Sequence, residues 1–106
     1  MDTKKAMLSR MSCKRCSAFQ TRRHIWGLQG LSYAITNAKM AVAEGVLSET
    51  DAGPMAGTIT FSDLHPNGPY DDLLIYSFKC TNCGRQFQLS AETYHGSGGN
   101  WAPRAI

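Results

Sequence analysis

The chain has 106 residues, 42% of them hydrophobic and 18% charged, and a formal net charge of +3. At this length it makes one domain that buries only about two-thirds of the surface of its unfolded form, so an added staple would help it. No apolar run of about eighteen residues occurs, which excludes a membrane-spanning helix. Residues 1–10 lack the apolar stretch of a secretory signal, so the cytoplasm is the expected address.

Residues 1–12 are polar and basic and read as a loose tail. Cys13-Lys14-Arg15-Cys16 follows, and residues 17–26 read as a strand with Phe19, Thr21, Arg23 and Ile25 on one side. From residue 31 to 46 the apolar positions step by three and four through Leu31, Ile35, Ala38, Val42 and Val46. That spacing predicts an amphipathic helix stopping near Gly45. Residues 48–57, with Gly53-Pro54, read as a loop, and 58–63 as a strand alternating around Ile59 and Phe61. A turn is expected at 65–69, where Asn67-Gly68 supplies positive φ at little cost. Residues 73–79 form a strand running into Cys80-Thr81-Asn82-Cys83, and 85–90 alternate around Phe87 and Leu89. The glycines of 96–99 have linker composition, so 96–106 are expected as a tail and 13–95 as the single domain. The fold class expected is α+β, a small antiparallel sheet of about four short strands carrying one amphipathic helix.

The four cysteines carry the chemistry. In a reducing compartment, paired thiols read as a metal site or a redox motif rather than a disulfide framework. Zinc takes four soft donors at the corners of a tetrahedron, and each Cys-x-x-Cys turn offers two. Cys80 and Cys83 sit in the stronger turn, because Gly84 permits the left-handed conformation that aims N–H groups at the sulfurs. Cys13 and Cys16 are followed by Ser17 instead. A thioredoxin-like pair would need only one motif, at a helix start, and ferredoxin spacing is missing, so a shared zinc is favoured over redox or iron–sulfur chemistry.

The pattern resembles a zinc ribbon over the two knuckles and their flanking strands, roughly a third of the chain. That resemblance implies Cys13, Cys16, Cys80 and Cys83 as ligands of one structural zinc. The chain departs from the ribbon pattern in the 63 residues between Cys16 and Cys80, which include the helix. Four thiolates close the shell, which argues against a catalytic metal. They also leave a negative site that Lys14, Arg15, Lys79 and Arg85 could balance.

Two partners are then open. Residues 1–39 hold eight Lys/Arg against Asp2 alone, and Lys14, Arg15, Arg22, Arg23 and Trp26 have the chemistry for phosphate contact and base stacking. Residues 40–78 hold six acids and no base, and Asp71 and Asp72 would head a protein-binding face, as in a small immunity- or antitoxin-like protein. A pI near 8.8 is modest for a dedicated nucleic-acid binder, so a protein partner ranks first and nucleic acid second. His24, His65 and His95 share no ligand spacing, and no nucleophile with its base assembles, so the chain is not expected to be an enzyme.

Overall fold

Strand alternation and one helical stripe together build an α+β fold, an antiparallel five-stranded sheet with one helix. The structure is a computed structural model and describes residues 13–50, 59–93 and 98–104. The basic stretch 1–12 therefore lies outside the described residues.

A 3₁₀ turn at Ser17–Phe19 leads to β1 (Arg23–Ile25), then α1 (Gly27–Ala43), β2 (Leu47–Thr50), β3 (Leu73–Cys80), β4 (Gln86–Glu92) and β5 (Gly98–Pro103). Their order across the sheet is β1-β5-β4-β3-β2, with every neighbour antiparallel.

Alternation along β3, β4 and β5 sends Leu74, Tyr76, Phe78, Phe87, Leu89, Ala91 and Trp101 into the core. The helix closes that core with Leu31, Ile35, Ala38 and Ala41. Each fully buried large side chain contributes roughly 1.5–3 kcal/mol relative to exposure. Trp101 is the centre of the aromatic packing. It stacks on Phe78 and Phe87 at 5.6 and 5.7 Å, tilts against Phe19, and donates its indole N–H to Phe19 O at 2.8 Å.

The helix ends as expected. Gly45 has φ +77, Gly45 N donates to Val42 O and Val46 N to Ala41 O, the paired bonds of a Schellman motif. Its start lies four residues earlier than the periodicity predicts, because Gly27, at φ +62, turns the chain directly off β1. Ala41 is buried where Val42 was expected, and Val42 is only partly covered.

Four local expectations are corrected. Residues 17–22 are a 3₁₀ turn and a bend, so the expected strand shrinks to β1. Residues 48–50, expected as loop, belong to edge strand β2; the rest of that loop is outside the described residues. The described part of 58–63 is a turn rather than a strand, with Asp63 N bonded to Thr60 O and Leu64 N to Phe61 O. Phe61 and Leu64 are buried from it, three residues apart, and Phe61 meets Tyr76 and Phe78 edge-on. Finally, residues 98–103 of the expected tail are β5, paired on both sides inside the sheet.

Candidate metal centre

β3 runs to Cys80 and turns over Thr81-Asn82-Cys83 before β4 begins. Gly84 N donates to Cys80 O at 2.9 Å and Cys80 N to Arg85 O at 2.8 Å, closing a tight turn that Gly84 permits at φ +79. The other turn, Cys13–Cys16, has no glycine. It continues into the 3₁₀ turn, with Phe19 N bonded to Cys16 O at 2.9 Å and Ser17 Oγ to Lys14 O at 3.1 Å.

A third segment locks the two turns together. The carbonyls of Gly45 and Val46, in the link between α1 and β2, accept from both: Thr81 N donates to Val46 O at 3.0 Å, Thr81 Oγ1 to Gly45 O at 2.5 Å, and Arg15 to Gly45 O at 3.4 Å. The short link between α1 and β2 thus holds both cysteine turns through its backbone carbonyls.

The four thiols cluster as the sequence suggests. All four Sγ atoms lie within 4.8 Å of one another, with Cys13 to Cys80 at 3.8 Å and Cys16 to Cys83 at 3.7 Å. These separations far exceed the roughly 2.05 Å of a disulfide, so all four are free thiols. Cys13, Cys16 and Cys80 are buried and Cys83 is partly exposed. Four cysteines so close together can hold a metal ion.

Hydrogen-bond donors to the sulfurs are amides. Asn82 Nδ2 donates to Cys13 Sγ at 3.2 Å, Asn82 N to Cys80 Sγ at 3.4 Å, and Gln20 Nε2 to Cys16 Sγ at 3.3 Å. Among the described residues no lysine or arginine donates to a sulfur, so the expected balancing by Lys14, Arg15, Lys79 and Arg85 is not one of direct contact. Sequence reasoning missed Asn82 and Gln20, although their places inside and just after the cysteine motifs were visible.

These contacts divide the thiols. The Asn82 amide, together with backbone donors, lowers the Cys13 thiol to about 6 against the cost of burial. Burial pushes Cys16 up to about 12 and raises Cys83 as well. Such a cluster holds one thiolate readily and resists the next, which is the state a bound dication would reverse.

The other candidate residues do not form one surface. Arg15, Arg23 and Trp26 line a cleft of about 550 Å³ between the N-terminal segment and α1. Arg22 lines a different cleft, on the far face of the sheet, and Lys14 is exposed beside the first cysteine turn. Asp71 is engaged inside the fold, where its carboxylate accepts from Ile59 N at 3.2 Å. Asp72 is exposed, with its carbonyl accepting from Thr93 N. No helix among the described residues is long and apolar enough to cross a membrane. No protein-family model, curated protein or solved structure matches the chain.

Proposed function

We propose that the chain is a non-catalytic zinc-binding interaction module whose partner is another protein. Zinc–sulfur bonds of about 2.3 Å set the edges of a regular tetrahedron at about 3.8 Å. The Cys13–Cys80 and Cys16–Cys83 separations of 3.8 and 3.7 Å match that edge, and the whole cluster, within 4.8 Å, would need to tighten by no more than about 1 Å around the ion. A shell filled by four sulfurs leaves no position for substrate, which supports a structural role. The reading takes the cytoplasm as its setting, since reduced thiols persist there.

The observation that carries the interaction half is the helix-side cleft. Trp26, Tyr33 and Met40 stand around it at 77, 67 and 55% exposure, over a floor that includes Ala38 and Ala41. Tyr33 and Met40 are seven residues apart on α1, so they share one helix face. Aromatic and methionine side chains held out of the core, with Arg15 and Arg23 on the same rim, have the composition of protein interface centres. The nucleic-acid reading is the weaker one, because it needs Arg22 beside Arg23 and Trp26, and Arg22 lines the opposite face.

Elemental analysis of the purified protein should give one zinc per chain, and Cys80→Ser should lose both metal and cooperative melting. Metal-free protein that melts normally overturns the zinc reading. The protein that co-purifies with the wild type from its native cells should be lost with Tyr33→Glu plus Met40→Glu, at unchanged zinc content and melting temperature. A partner retained by that double variant overturns the cleft as its seat.

A further inference from the structure

We infer that the face of the sheet opposite α1 carries a phosphate-binding site, centred on Ala102 and independent of the cysteine cluster and the helix-side cleft. The register assembles it. Ser90 pairs with Asn100 and Gln88 with Ala102 across β4 and β5, all on the face away from the core. Arg23 pairs with Trp101, so continuing β1 backward by one residue sets Arg22 beside Ala102. Arg104 follows β5, with its N–H on Gln86 O at 2.8 Å, and it shares a face with Ala102 two residues away. Together Arg22, Gln88, Ser90, Asn100 and Arg104 line a cleft of about 390 Å³ with Ala102. Neighbouring strands lie about 4.8 Å apart and alternate residues about 7 Å, so these side chains can converge on one small ion above the Ala102 methyl.

The chemistry of the ring is one-sided. Two guanidinium groups and no carboxylate line the cleft. The next acid along β4, Glu92, stands two residues past Ser90 and has an interaction of its own. Among the described residues, no hydrogen bond or ion pair engages the five polar side chains. Arg15 and Arg23, by contrast, are tied to the carbonyls of Gly45 and Ala18. Guanidinium forks suit oxyanions, and Gln88, Asn100 and Ser90 add neutral donors from further directions. Donors spread around a hollow match the three free oxygens of a phosphate better than the two coplanar oxygens of a carboxylate. β4 and β5 are interior strands, so the backbone beneath the site is fixed before any ligand arrives.

The test is a titration of the zinc-loaded full chain with inorganic phosphate, followed by nitrogen–proton NMR. Saturable shifts should centre on the Arg22 and Arg104 side chains and the amides of Ser90, Asn100 and Ala102. Arg22→Gln and Arg104→Gln should each weaken binding by about tenfold, as expected for loss of one charge-assisted pair. Lys79→Gln, on the same face beside Gln86, should be silent. Ala102→Leu keeps both charges and fills the hollow, so it should abolish binding in a protein that melts normally. Parallel titrations with a nucleoside monophosphate and a short oligothymidylate separate the two sources of the group. Tighter binding of the first assigns a free phosphate ester, and of the second a nucleic-acid backbone. Ala102→Leu that binds like the wild type, or shifts spread evenly over all basic residues, overturns the site.

Discussion

Asn82 reaches across from the second cysteine turn and donates its side-chain amide to Cys13 Sγ at 3.2 Å, joining residues 69 positions apart. It is the largest influence holding the Cys13 thiol down near 6. Removing a hydrogen bond of this kind to a metal-binding group typically costs about 10–100-fold in metal affinity. Asn82→Ala should therefore weaken zinc binding by at least about tenfold while leaving one zinc per chain at saturation. Competition with a chromophoric chelator reads this directly, and unchanged affinity would mean that the amide only packs.

Proton release sets the pH dependence. Without metal, burial keeps Cys16 near 12 and raises Cys83, so both are protonated at neutral pH and both must ionise on binding. Apparent zinc affinity should then rise with pH by at least about a hundredfold per unit around neutrality, and fall as the solution is acidified. Below about 6, Cys13 also takes up its proton and the dependence steepens. The same chelator competition at a series of pH values measures the slope. A dependence of only about tenfold per unit, or less, would show that fewer than two thiols lose protons.

Ile35 is fully buried on α1, whereas Met40, on the same helix, is 55% exposed. Ile35→Ala should cost about 2–5 kcal/mol through lost transfer energy and the cavity left behind. Met40→Ala should change stability by less than about 0.5 kcal/mol. Denaturant melts of the zinc-loaded protein give both values, and near-equal effects would mean that the helix packs through a different face.

Trp101 joins Phe19, Phe78 and Phe87 and bonds to the Phe19 carbonyl. Trp101→Ala should cost about 3–5 kcal/mol, a large share of the roughly 5–15 kcal/mol by which such domains are stable. Thermal unfolding by circular dichroism should show a strongly lowered or lost transition. A melt within a few degrees of wild type would place Trp101 outside the cooperative core.

The parts legible in the sequence were those governed by short-range rules. Cysteine spacing brought out the cluster, the three-and-four stepping of Leu31, Ile35 and Ala38 located the helix, and Gly45 marked its end. What escaped depends on contacts distant in sequence. Gly98 and Gly99 look like linker residues by composition, yet each is small because backbone passes against it. A Cβ on Gly98 would overlap the Ile25 carbonyl, and one on Gly99 would overlap the Ser90 carbonyl. Ile59 and Phe61 alternate like a strand, but among the described residues this segment pairs with no strand. It turns instead, with the Lys39 ammonium donating to Phe61 O at 2.7 Å and Tyr76 donating to Ile59 O at 2.7 Å. The separation of Arg22 from Arg23 follows from strand alternation, yet only the register with β5 shows what each one meets.

The strand order has a consequence for how the molecule is made. Among the described residues β1 precedes the other strands in the chain, yet its one neighbour in the sheet is β5, which follows them all. During synthesis β2, β3 and β4 can find each other while Arg23–Ile25 waits unpaired, and Cys13 and Cys16 wait for Cys80 and Cys83. An ion captured once Cys83 is out would tether the early segment to the end of β3 before Trp101 exists to hold it. The metal would then act as a placeholder in assembly, keeping the first strand within reach until the final strand slides in beside it.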